Sequence, residues 1–207
     1  MPSNPASIAS RIFPTAHRIL LEKELRNVLP NLTGRILVVG AGHNPYGLWM
    51  SREASLVVTD VEEGLDGIDQ VADVHALPFE TDSFDAVLAV EVFEHLQFPM
   101  KAAAEILRVL RPGGRAVVTT PFLFHVHGDP MDFARFTKAG LKTLFSSYGE
   151  VTVLEYGGRP HVISDLVTTI WRPLALLRVI NHLLARGPLS RLRSNDSPSG
   201  YVLVAAK

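Results

Sequence analysis

Short runs of consecutive apolar residues punctuate the chain, among them Ile36-Leu37-Val38-Val39, Leu56-Val57-Val58, Ala86-Val87-Leu88-Ala89-Val90 and Ala116-Val117-Val118. Runs this short, rich in β-branched residues and without polar alternation, predict strands buried on both faces. Between them the period changes. Residues 17–29 carry Ile19, Leu20, Leu25 and Val28 at roughly helical spacing, and Pro30 to Gly34 stop them. Residues 100–110 place Ala103, Ile106, Leu107 and Leu110 on one helical face, ended by Pro112-Gly113-Gly114. Strand ends at 71–73 and strands at 150–156 and 201–205 complete a predicted set of seven. Alternation of buried strands with helices predicts an α/β fold with a largely parallel sheet.

The most informative junction follows the first run. Gly40-Ala41-Gly42-His43-Asn44-Pro45-Tyr46-Gly47 lets the backbone turn sharply and approach a ligand, and a helix opening near Pro45 would aim free N–H groups at it. The second strand delivers Asp60 at its carboxyl end, twenty residues beyond Gly40, the spacing at which an acid takes the ribose hydroxyls of a nucleoside. A dinucleotide fingerprint needs a third glycine where this chain has Pro45, so the turn cradles a diphosphate poorly. That favours S-adenosylmethionine (SAM) over NAD and ranks a NAD-linked oxidoreductase third.

Composition adds boundaries. The chain has 207 residues, a formal net charge of −1 and no cysteine. That is one domain's worth of sequence, with no global electrostatic grip on nucleic acid, so no nucleic-acid partner is expected. Disulfides and thiolate metal sites are excluded, and a reducing compartment fits. Residues 1–5 carry no signal-peptide pattern, and no run approaches the ~18 apolar residues of a membrane span. A soluble, cytoplasmic protein is expected.

Five motifs in order carry a family resemblance: Val38-Val39-Gly40-Ala41-Gly42; Asp60; Asp73-Val74-His75-Ala76-Leu77-Pro78-Phe79; Glu91-Val92-Phe93-Glu94-His95-Leu96; and Leu110-Arg111-Pro112-Gly113-Gly114. Together they resemble the class I SAM-dependent methyltransferases of the type 11 group, from about 34 to 145 and more loosely to 207. The resemblance implies a Rossmann-like, doubly wound, seven-stranded, mostly parallel sheet with helices on both faces. It divides one domain into an N-terminal extension and helix (1–33), a cofactor core (34–157), a helical lid or interface insertion (158–198) and the last strand (199–207). It also implies that Gly40, Ala41, Gly42, Asp60, Val61, Asp73, Val74 and Glu91 meet SAM, with Asp73 and the Val74 N–H at the adenine. Asp73 reads equally as a turn cap, and the helix at 17–29 as a cover for the ligands or as edge packing. Glu91 could line the transfer pocket, hold the methionine amine or cap the helix after it; His95 could be a base or a packing residue. The family's acidic residue two before the first glycine is here Val38.

The second informative stretch runs from 121 to 137 and gathers His125, His127, Asp129, Asp132 and Arg135 after the fifth strand. A similar run occurs in methyltransferases associated with glycan or lipid-like substrates. As an acid/base site, His125 or His127 would take a proton from an acceptor hydroxyl, with Asp129 or Asp132 orienting the ring. As a metal site, His125, His127 and Asp129 would ligate a divalent ion, though no metal is assigned. As structure, Asp132 would cap a helix over 133–147 and pair with Arg135. Asp129, Asp132 and Arg135 are the expected acceptor contacts.

Residues 166–195 hold no acid and five arginines, and 174–184 are apolar nearly all round. Such a helix must bury against the core, a second subunit (a homodimer) or a lipid surface, so peripheral membrane contact through 166–193 is open. The function expected is SAM-dependent methyl transfer to an oxygen, less readily a nitrogen, of a small-molecule, glycan-like or lipid-linked acceptor. The alternative is a catalytically silent SAM-binding or scaffold protein.

Overall fold

The computed structural model describes residues 14–42, 46–128, 131–170 and 179–207. Seven strands form one sheet: β1 (Gly34–Val39), β2 (Ala54–Asp60), β3 (Gln70–Val71), β4 (Phe84–Val90), β5 (Leu110–Pro121), β6 (Glu150–Tyr156) and β7 (Gly200–Ala206). The order is β3-β2-β1-β4-β5-β7-β6, and the pairs β2–β3, β1–β2, β1–β4 and β4–β5 are parallel. The apolar runs are the buried centres of these strands, with Ile36, Leu37, Val87, Leu88 and Val117 fully enclosed. Strand order reverses between β1 and β4, the place where ligands bind in open α/β sheets.

The chain divides into two compact units. The larger comprises Arg26–Pro121, His127–Leu154 and Val202–Lys207. In it α2 (Pro99–Val109) buries Ala102, Ala103, Ile106 and Val109, a face close to the one the periodicity predicts. Asp85, at the amino end of β4, accepts from the Arg35 N–H at 2.7 Å and pairs with Arg111 at 2.7 Å. It is a brace at the edge opposite the ligand side.

Two predicted local features differ. The helix expected after the glycine turn is a single 3₁₀ turn, Tyr46–Trp49, among the described residues; Pro45 itself lies outside them. Gly47 within it and the start of β2 at Ala54 leave no room for the usual helix. The segment after Asp60 forms turns. The helix expected over 133–147 is only α3 (Lys138–Leu144), capped by Thr137, whose hydroxyl accepts the Gly140 N–H at 3.1 Å. Asp132 is therefore no helix cap.

The smaller unit comprises Met1–Leu25, Phe122–Val126 and Glu155–Tyr201. Its helices are most of α1 (Ala16–Val28), α4 (Arg159–Ile170) and α5 (Val179–Arg186). The Thr15 hydroxyl caps the start of helix α1 by accepting the Arg18 N–H at 3.2 Å. The first two N–H groups go to the buried Asp165 of α4, which accepts that of Ala16 at 2.7 Å and that of His17 at 2.8 Å, one on each oxygen. Residues 174–178 of the apolar stretch 174–184 lie outside the described residues. The part described, in α5, is one-sided: Asn181 and Ala185 are buried while Val179, Ile180 and Leu183 are exposed. Arg172 and Arg178 lie outside; Arg193 donates to the Glu155 carbonyl at 3.1 Å and to Glu24 at 3.0 Å. Among the described residues no helix is long and apolar enough to cross a membrane.

Asp165→Ala removes both carboxylate acceptors from the start of α1. Hydrogen bonds to a charged group contribute about 1.5–3 kcal/mol, so chemical denaturation should show a loss in that range, with Asp165→Asn losing less.

Candidate functional site

Parallel register brings the carboxyl ends of β1, β2, β4 and β5 to one edge: Val38 pairs Val58, Val39 pairs Ala89 and Val90 pairs Thr119. The turn leaving β1 is tied to β2. Ala41 N–H donates to the Thr59 carbonyl at 3.1 Å and Gly42 N–H to the Asp60 carboxylate at 2.8 Å. The other Asp60 oxygen accepts the Glu62 N–H at 3.0 Å. Each oxygen keeps lone-pair capacity for a further donor. Gly40 and Gly42 both have positive φ, 58° and 50°. A Cβ on Gly40 would lie 2.7 Å from Val92 Cγ2, whereas one on Gly42 would meet nothing within 4 Å among the described residues. The first glycine is demanded by packing; the second faces open space that a ligand can enter.

Glu91 leaves β4 with φ 54°, a left-handed conformation that non-glycine residues adopt only where their surroundings impose it. Thr119 imposes it. The Glu91 N–H donates to both the Thr119 carbonyl (3.2 Å) and hydroxyl oxygen (3.1 Å), and that hydroxyl donates to Glu91 Oε1 at 2.9 Å. Asp73 accepts from the His75 N–H at 2.8 Å and faces its ring nitrogen at 2.7 Å. Burial raises its pKa, but the His75 contacts outweigh that and leave it below the ordinary carboxylate value. The turn-forming role is therefore present, and the exposed carboxylate is accessible to a ligand. Val74 is buried and Val61 exposed.

Beyond Glu91 the chain makes one 3₁₀ turn, Phe93–His95. The segment after β5 returns to clasp it: Phe133 and Ala134 N–H donate to the Glu94 carbonyl (2.7 and 3.2 Å), and His95 Nδ1 meets the Met131 carbonyl at 2.5 Å. Asp132 anchors that segment, accepting the His127 N–H at 2.9 Å and forming a two-pronged ion pair with Arg135. The Arg135 guanidinium, foremost, holds the Asp132 carboxyl down to about 2. Asp132 Oδ2 also lies 3.4 Å from His127 Nδ1.

The clasp encloses Glu94. Its side chain is fully buried, and neither oxygen meets a hydrogen-bond donor among the described residues. Burial, reinforced by the charge of Glu91, pushes its pKa up to about 9. His95 Nε2 lies 3.7 Å from Glu94 Oε1, and the His95 and His127 rings meet edge to face at 5.1 Å. One ligand-capable atom from each of Glu94, His95 and His127 lies within 4.8 Å of the others.

The predicted cluster thus divides. His127, Asp132 and Arg135 come together in the larger unit. His125 belongs to the smaller unit, where its ring lies 4.2 Å from that of Phe124, and Asp129 lies outside the described residues. The sequence carries Glu94 as part of the Glu91–Leu96 motif without assigning it a role, and gives His95 a packing or base role. The signal available was the spacing of Glu91, Glu94 and His95 directly after a central strand.

Fold and edge define a protein of the α/β class whose strands β1, β2, β4 and β5 end on one common side. Residues 37–118 match the family described as methyltransferase domain. The chain is 39% identical over 106 residues to a demethylmenaquinone methyltransferase of Clavibacter sepedonicus, covering 45% of this chain and 43% of that protein. It is 33% identical over 99 residues to a phthiotriol/phenolphthiotriol dimycocerosates methyltransferase of Mycobacterium ulcerans, covering 41% and 36%. The chain spans less than half the length of these curated relatives. A SAM-dependent methyltransferase from Archaeoglobus fulgidus shares the fold at TM-score 0.64 and 15% identity, over 99% of this chain and all of that one. Over residues 37–118 the chain is thus similar to a methyltransferase domain, and its fold is one that SAM-dependent methyltransferases share.

In EDTA-treated protein, the proton on Glu94 sets a pH dependence. Folded Glu94 holds it up to about pH 9, whereas the unfolded side chain releases it near pH 4.5. The native state then binds more protons across that window, so stability falls as pH rises through it. Glu94→Gln removes this term. Its melting temperature should gain on the wild type steadily from pH 5 to 9; a constant difference would contradict the assignment.

Proposed function

We propose that the chain transfers the SAM methyl group to an oxygen, in preference to a nitrogen, of a small-molecule, glycan-like or lipid-linked acceptor. The observation that carries this reading is the meeting, on one sheet edge, of the cofactor acids and an enclosed Glu–His–His group. Asp60 is suited to the ribose hydroxyls, Asp73 and the Val74 N–H to the adenine, and the Gly40-Ala41-Gly42 turn with Val61 to the body of the nucleoside. With Val38 where the family has an acid, Glu91 is the carboxylate left to hold the methionine amine. Its backbone strain and its bond to Thr119 fix its direction before any ligand arrives.

Bound SAM supplies a methyl carbon on a positively charged sulfur: the acceptor oxygen bonds to that carbon while the C–S electron pair stays on sulfur, leaving S-adenosylhomocysteine. The protein's part is alignment and proton removal, and alignment alone can lower the barrier by several kcal/mol. His127 is the better-supported base, taking the acceptor's hydroxyl proton on its ring while the adjacent Asp132 stabilises the imidazolium. His125, in the smaller unit, is the weaker candidate. Asp132 and Arg135 are engaged with each other, so their acceptor contacts use the donors and lone pairs that the pair leaves over; Asp129 completes the proposed set.

The relatives' names, one a demethylmenaquinone and one a dimycocerosate methyltransferase, support a small-molecule or lipid-like acceptor. Exposed Ile163, Leu166, Val167, Val179, Ile180 and Leu183, with Arg186 and Arg191, support peripheral contact with an anionic lipid surface through 166–193, a second copy being the other occupant. Pelleting with anionic but not zwitterionic vesicles is expected; no pelleting with either would remove the membrane contact. A silent SAM-binding protein is the second reading, favoured by Val38 and by the single 3₁₀ turn in place of the usual helix.

Calorimetric titration should show SAM and S-adenosylhomocysteine binding, no NAD binding, and at least a tenfold loss of affinity in Asp60→Ala, in line with ~1.5–3 kcal/mol for hydrogen bonds to a charged group. Absence of adenosyl-ligand binding would sink both readings. Binding without transfer to any hydroxylated acceptor would leave the silent one.

A further inference from the structure

We infer that Glu94, His95 and His127 form a divalent-cation centre beside the cofactor edge. Three independent observations converge on it. The donor atoms lie within 4.8 Å of one another, a span that one ion can bridge once bonds of about 2.0–2.2 Å form to each. The Glu94 carboxylate is fully buried with no donor on either oxygen among the described residues, and a buried acid of that kind calls for a cation or a proton. The His95 imidazole is already oriented as a ligand, and His127 has a carboxylate near its ring. His95 Nδ1 is turned to the Met131 carbonyl at 2.5 Å, which makes it the N–H donor and leaves Nε2, the atom 3.7 Å from Glu94, without its proton. The Asp132 carboxylate stands 3.4 Å from His127 Nδ1. A backbone carbonyl behind one imidazole and a carboxylate behind the other are the outer partners that metal-bound histidines take.

Two imidazole nitrogens and one carboxylate oxygen suit a first-row ion such as Mn²⁺, Zn²⁺ or Fe²⁺ better than Ca²⁺ or Mg²⁺. Three protein ligands leave coordination positions open. On the methyl-transfer reading of this site, on which this step rests, those positions take the acceptor's hydroxyl oxygen; with an ion bound, its charge replaces His127 as the means of removing the hydroxyl proton, which passes to solvent. The acceptor class then narrows to molecules that can chelate, with two neighbouring oxygens.

The test is titration of chelator-stripped full-length protein with Mn²⁺, followed by paramagnetic resonance of the free ion, and with Zn²⁺ by calorimetry. One equivalent should bind saturably, and Glu94→Gln and His127→Gln should each weaken binding at least tenfold. Glu94→Gln conserves shape, and His127 is partly exposed, so both are expected to fold; circular dichroism confirms it. Asp60→Ala should lose SAM and keep Mn²⁺, which separates failure of the cofactor reading from failure of this one. Stoichiometric binding unchanged in folded Glu94→Gln and His127→Gln, or no saturable binding of either ion, would overturn the centre.

Discussion

Parallel pairing on both sides of β1 is the constraint from which the site follows. Because β2 and β4 flank β1 in parallel, the chain leaves all three strands at the same edge, at Gly40, Asp60 and Glu91. Backbone groups that run off the end of a parallel ladder still need partners. The structure supplies them across neighbouring strands, from Ala41 to Thr59 and from Glu91 to Thr119. Each bond pulls its turn sharply over the sheet edge, which is why positive φ appears at Gly40, Gly42 and Glu91. Two of those positions are glycines that accept it at no steric cost. The third is a glutamate, whose strain is offset by the three-bond arrangement with Thr119 and whose side chain is thereby held in one direction.

The same edge explains the loop. A segment leaving β5 has to pass over the turn that follows β4, and here it docks there through backbone bonds to Glu94 and through His95 to Met131. The ion pair of Asp132 with Arg135 stiffens the docked segment rather than a helix. Loop closure therefore buries Glu94 and brings His127 to His95 in one movement of chain. Neither would follow from the other without it.

This division sets what the sequence could disclose. Strands were legible because a buried parallel strand writes itself as an uninterrupted apolar run, and Asp60 because its distance from Gly40 follows from strand and turn geometry. The 3₁₀ turn at Tyr46–Trp49 was not, since a helix was inferred from the fold rather than from the few residues available to build it. Asp132 and Thr137 are both good cap residues, and only the docking of the loop decides for Thr137. The bond from the start of α1 to Asp165 joins residues 149 positions apart, beyond any local pattern. Glu94 was illegible for a different reason: on a short turn a glutamate reads as exposed, and its burial is a property of the loop that covers it.

Charge at the covered turn does not balance by itself. Among the described residues, Glu94 and Asp132 bring two acids to this turn, and the Arg135 guanidinium is paired with Asp132. Water cannot reach Glu94 to compensate. Its environment and that of Asp132 therefore diverge: Arg135 keeps Asp132 ionised down to about pH 2, while burial and Glu91 keep Glu94 neutral up to about pH 9. Two acids beside one histidine pair, driven to opposite states, define two different tasks. The charged Asp132 stays beside the His127 ring at any working pH. Below about pH 9 the neutral Glu94 becomes a carboxylate when a positive charge enters beside it, which is the state the inferred cation centre requires.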